Sequence, residues 1–195
     1  MNNQIIIAIS NTAAIMMSII IIGLFIYFLQ YIIAKLFTSI FGVTFTNIFL
    51  NKITFIGVVH HELSHAIFAF LTGAQVVKVS LFKYNEENGS LGEVIYYSRG
   101  IFIMRWIQDF FSSIAPVVCG AASIFCMIYF IPYNAIWQYI LFGFIIFSIF
   151  IHMDMSIQDI KVSLKGLPIF IIIIFCIFYF TKFNLIGYVV DWFKK

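Results

Sequence analysis

Residues 53–71 read ITFIGVVHHELSHAIFAFL, an apolar run of bilayer-spanning length with an ionisable cluster at its centre. Within it, His61-Glu62-Leu63-Ser64-His65 is an H-E-x-x-H motif. His61 and His65 lie one helical turn apart, so both imidazoles share one face of a helix and can share one zinc ion. Glu62 lies about 100° round that helix from His61, close enough to act on a water held by the ion. Ionisable groups at membrane depth are costly, which makes a cluster of them a functional-site hypothesis by default. A lone buried histidine is usually structural, but three of the four histidines in the chain stand here together. His60 falls on the Ser64, Ile67 and Leu71 side, away from the metal face, and reads as structural.

The surrounding chain fits that setting. It has 195 residues, 63% of them hydrophobic and only 10% charged. A soluble domain of this size has no use for so much apolar surface, so the expected class is an all-α polytopic membrane protein. The net charge of +3 is small and no basic patch is interleaved with exposed aromatics, which argues against nucleic acid as a partner. The lipid bilayer is the expected surroundings. Cys119, Cys126 and Cys176 all lie in apolar segments and read as small core residues.

About five transmembrane helices are predicted, with a small β-hairpin between the second and third. The first apolar run, from Ile5 to Phe37, is too long for a signal-peptide core and reads as a retained helix, with the span at about Thr12 to Leu36. Residues 42–52 read as a short polar-speckled connection. The motif span, about Ile53 to Leu71, ends at Thr72-Gly73. Val77, Val79 and Leu81 then alternate with Lys78 and Ser80, a strand pattern. Asn85-Glu86-Glu87-Asn88-Gly89-Ser90 signals a turn, and Leu91 to Tyr97 is the returning strand. Arg105, Trp106 and Asp109 mark an interface before a third span, about Phe110 to Phe130, with Pro116 near its start, where proline can open a helix. A fourth span, from about Trp137 to Met153, continues as a polar extension through Lys165. Gly166-Leu167-Pro168 breaks the chain before a last apolar run from about Ile169. The whole, residues 1–195, is one domain with its functional core at 53–166.

Catalytic zinc usually takes three protein ligands. The candidates for the third are hairpin acids, Glu86, Glu87 or Glu93, and acids after the fourth span, Asp154 or Asp159. On a continuous helix His152, Ser156 and Asp159 form one stripe, at i, i+4 and i+7. Asp154 shares another stripe with Gln158, Lys161 and Lys165, which looks like a solvated face. The stripe without lysines looks like a pocket lining. Asp159 is therefore favoured as ligand and Asp154 is the alternative, with His152 and Ser156 as candidates to orient the carboxylate or the substrate.

With these residues in view, the chain resembles the site-2 protease family of intramembrane zinc metalloproteases, in particular its short bacterial and archaeal members. The resemblance is carried by His61-Glu62-Leu63-Ser64-His65 inside a span and by the Val76-to-Tyr97 hairpin with Gly89 and Gly92. Ala115-Pro116 in the next span and Ser156-x-x-Asp159 after a later one complete it. It runs from His60 to Gly166. Larger members carry an Asp-Gly pair as third-ligand motif, which this sequence lacks. The resemblance implies a multi-pass protein of a prokaryotic cell membrane that uses zinc to cleave membrane-protein substrates near one membrane face.

The same residues predict the chemistry. Glu62 is the general base, and His61, His65 and Asp159 are the metal ligands. A substrate helix must unwind before its backbone can be attacked, and a strand edge of the hairpin can hold the unwound segment. Two other functions fit the same residues. One is a membrane-anchored zinc hydrolase acting at the water interface with a hairpin Glu as third ligand. The other is a non-catalytic membrane protein.

Overall fold

A computed structural model of the chain describes residues 2–81 and 92–194. In order, the elements are helix α1 (Asn2–Ile48), a π-helical turn (Phe49–Ile53), α2 (Phe55–Leu71), strands β1 (Gln75–Ser80) and β2 (Glu93–Tyr97), α3 (Phe102–Phe130), α4 (Ile136–Ile151), α5 (Ile157–Thr181) and α6 (Leu185–Phe193). The protein is thus mostly helical with one small hairpin. Three helical stretches, Asn3–Ile53, Phe102–Phe130 and Ile157–Thr181, are long and apolar enough to cross a membrane. The helices α2 and α4 are apolar but shorter, at 17 and 16 residues.

Burial is inverted relative to a water-soluble protein. The largest fully buried side chains include Gln108, Asn11, Thr54, Ser112, Ser113 and Ser148, while isoleucines and phenylalanines of every long helix are exposed. Small and polar residues let helices approach closely and bond to one another where apolar contact alone gives no preference over lipid. Helix α3 packs against α2 and α5, α2 also packs against α4, and α1 lies along α5. Asn11 shows how the polar interior ties the bundle: its amide donates to the Phe183 carbonyl at 2.7 Å and its oxygen accepts from the Ile186 N–H at 3.3 Å. The three cysteines are free and none is buried, so they do not serve as core residues.

Several boundaries differ from the sequence expectation. The connection expected over 42–52 is helical apart from Gly42, whose φ of 79° bends α1, and the π-helical turn that follows. Pro116 lies well inside α3, which begins at Phe102 and takes in Arg105, Trp106 and Asp109. The fourth helix does not extend to Lys165. It ends at Ile151, and α5 starts afresh at Ile157 with Ser156 as N-cap. Gly166-Leu167-Pro168 does not break the chain, because α5 runs through it to Thr181. Gly166 is small for packing, not for turning: a Cβ there would lie 2.3 Å from the Trp106 carbonyl oxygen. In apolar surroundings an open turn would strand more backbone groups than the one bond Pro168 removes.

The hairpin is antiparallel, pairing Gln75 with Tyr97 and Ser80 with Glu93, with a bulge between Val76 and Lys78. The turn expected at Asn85–Ser90 and the residue Leu91 lie outside the described residues.

Candidate metal centre

Helix α2 presents His61 and His65 with their Nε2 atoms 3.1 Å apart. The other nitrogen of each ring is anchored. His61 Nδ1 donates to the His152 carbonyl at 2.6 Å, and His65 Nδ1 donates to the Ser112 carbonyl at 2.7 Å. Carbonyl oxygens only accept, so both protons sit on Nδ1 and both Nε2 lone pairs face a common point. Such an arrangement is repulsive unless a proton or cation lies between.

The third group arrives from α5. Asp159 Oδ1 stands 3.7 Å from His65 Nε2. Its other oxygen, Oδ2, accepts from the Ser156 N–H at 3.0 Å and the Ser156 hydroxyl at 2.6 Å, while Ser156 Oγ accepts from the Asp159 N–H at 3.1 Å. This is a capping box, and it pins one carboxylate oxygen so that the other points at the histidines. One ligand atom from each of His61, His65 and Asp159 lies within 4.8 Å of the others. Two nitrogens and one carboxylate oxygen at these separations fit a divalent transition metal, whose bonds to such ligands run about 2.0–2.2 Å.

His61, His65 and Asp159 are brought together, with Glu62 on the wall of the same cleft. Ser156 orients Asp159 through the cap. His152 does not touch Asp159: its ring reaches Thr54 Oγ1 at 3.0 Å and the Leu50 carbonyl at 2.9 Å, and only its main-chain oxygen serves the site. The stripe of His152, Ser156 and Asp159 does not exist, because the helix breaks between His152 and Ser156. Asp154 is exposed and outside the converging group. Glu93 is engaged by Lys78 at 2.9 Å. Glu86 and Glu87 lie outside the described residues. His60 bonds Ser123 at 3.0 Å, away from the cleft.

The cleft has a volume of about 760 Å³ and is lined by α2, by β2 from Glu93 to Tyr96 and by the first turns of α5. Among the described residues β2 has one strand neighbour, β1. Burial pushes the Tyr96 phenol above its ordinary range, against its hydrogen bonds with Ser112 and Ser113, so it stands in the wall as a neutral group. Gly92 packs directly on the motif: a Cβ there would fall 2.4 Å from Glu62 Cγ and 2.9 Å from its Cδ. The residue that leads into the second strand therefore lies directly against the Glu62 side chain.

Sequence reasoning missed the two orienting carbonyls and the Gly92 contact. Main-chain acceptors leave no side-chain signature, and the Gly92 contact depends on how the hairpin folds back. No protein-family model, curated protein or solved structure matches the chain.

Proposed function

We propose that the chain is an intramembrane zinc metalloprotease of the site-2 protease kind, hydrolysing peptide bonds in or near transmembrane segments of membrane proteins. The observation that carries this reading is the convergence of His61 Nε2, His65 Nε2 and an Asp159 oxygen beside Glu62, within a bundle of apolar helices. His61, His65 and Asp159 would hold the zinc. When bound, zinc supplies a Lewis acid that polarises the scissile carbonyl and acidifies water. Glu62 takes the proton from the attacking water and passes it to the leaving amine. The strand β2, lying along the cleft, holds an unwound stretch of substrate by main-chain hydrogen bonds. The protein is a multi-pass resident of a prokaryotic cell membrane. We count α2 and α4 with the three long helices, giving five membrane-embedded helices, since a helix the length of α2 spans about 25 Å.

The test is metal content and cleavage of a single-span reporter protein, wild type beside Glu62→Gln. Wild type should carry zinc and cleave. Gln keeps size and hydrogen bonding but cannot accept the proton, so the variant should keep zinc and lose at least about 100-fold in rate. Near-normal cleavage by Glu62→Gln, or a wild type that binds no zinc, would overturn the assignment.

A further inference from the structure

We infer that Pro116 is a positioning residue for the metal centre, acting through the Ser112 carbonyl on His65. The inference rests on His65 being a ligand. Ser112 lies one turn before Pro116 inside α3. In an unbroken helix the Ser112 carbonyl would accept the N–H of residue 116, but proline has none, and its ring crowds the carbonyl of residue i−4. The Ser112 oxygen is thereby released from the helix ladder. It is that oxygen which accepts His65 Nδ1–H at 2.7 Å. The pairing is reciprocal, because Ser112 Oγ donates to the His65 carbonyl at 3.2 Å. Ser112 and Pro116 are fully buried and His65 is 8% exposed, so no water competes for the released acceptor. The proline sets the direction of one carbonyl, the carbonyl fixes the proton on Nδ1, and the tautomer turns Nε2 of His65 towards His61 and Asp159.

A proline kept only for packing predicts something different. Pro116 is fully buried, so on that view Pro116→Ala leaves a cavity and lowers the thermal stability of the metal-free protein while zinc affinity stays unchanged. If Pro116 positions His65, the same substitution supplies an N–H that draws the Ser112 carbonyl back into the ladder. Zinc affinity should then fall about ten-fold, the low end for loss of an orienting partner.

The decisive comparison places alanine, or its α-hydroxy analogue lactic acid, at residue 116 of the full-length protein. The two differ only in an N–H replaced by an ester oxygen. Lactic acid should restore wild-type zinc affinity in a chelator competition, and alanine should not. Nitrogen-15 spectra of the His65 ring, without metal, should show Nδ1–H in wild type and the lactic acid protein and a mixed tautomer in Pro116→Ala. If alanine does not yield folded protein, valine and its α-hydroxy analogue, 2-hydroxyisovaleric acid, take the place of the pair, since they differ in the same N–H. Equal zinc affinity and equal ring spectra for the alanine and lactic acid proteins would overturn the inference. A wild type that binds no zinc would remove the protease reading, and the ring spectra would still decide whether Pro116 orients His65.

Discussion

The two imidazoles of the centre are held by the same kind of bond and supported in opposite ways. His65 hangs on a carbonyl in the middle of α3, one turn before a proline. His61 hangs on a carbonyl at the very end of α4, where the helix stops and no further turn claims the oxygen. The first support is local, written into five consecutive residues of one helix. The second is tertiary. The His152 carbonyl stays in place because its own ring is tied to the Leu50 carbonyl, and because Gly57 lets the end of α4 lie against α2. The carbonyl that serves His65 is therefore set by its own neighbours in α3, whereas the one that serves His61 depends on contacts between α4 and distant segments of the chain.

The comparison breaks first at the ligands themselves. His61→Ala and His65→Ala should each lower zinc below stoichiometric levels in purified protein, equally, because either loss leaves too few ligands whatever held the ring. Full metal occupancy in either variant would make the motif structural. Next in size is Gly57→Ala. A Cβ there would lie 2.0 Å from the Ser148 oxygen and 2.5 Å from His152 Cδ2, so α4 must move. Overpacking of this kind costs about 1–3 kcal/mol, and thermal stability and zinc affinity should fall together. Unchanged zinc affinity in a destabilised protein would show that His61 does not depend on α4.

A finer probe is His152. Its Nε2 must carry a proton to bond the Leu50 carbonyl, and glutamine places an amide nitrogen near that position while asparagine falls short. His152→Asn should weaken zinc about ten-fold and His152→Gln much less, read by chelator competition. Equal behaviour of the two would detach the ring from the site. The smallest effect belongs to Ser112→Ala. It removes the hydroxyl bond to the His65 carbonyl but keeps the main-chain acceptor, so stability should drop by about 1 kcal/mol in a denaturation curve with zinc affinity unchanged. A clear loss of zinc would mean that the hydroxyl, not the carbonyl, does the holding.

The same division marks what the sequence reveals. The face shared by His61 and His65 follows from helical spacing alone, and the helix forms where that spacing requires it. Asp159 does stand beside them, but not by the route that periodicity suggested. Periodicity assumes a continuous helix through His152 and Ser156, and the chain breaks there instead. The break was readable: Ser156-x-x-Asp159 is a capping signature, and its carboxylate turns out to be aimed by the cap. Gly166 and Pro168 misled for the opposite reason. Both are turn residues by local preference, and close packing on α3 overrides that preference. The first hairpin strand is legible from alternation and the second as the return after a turn signal, whereas the contact of Gly92 with Glu62 depends on tertiary placement.

The centre draws its histidines from α2 and its carboxylate from the first turn of α5, so it is spread along the order of synthesis. At ordinary translation rates Asp159 is made roughly 5–20 s after His65. During that interval the nascent chain carries His61, Glu62 and His65 but not the carboxylate that converges on them. The carboxylate can take its place only once the capping box has formed and α5 has begun to pack. On the protease reading proposed above, a chain stalled or truncated before Asp159 would keep the whole H-E-x-x-H motif and remain unarmed, shielded from its own chemistry while it is being made.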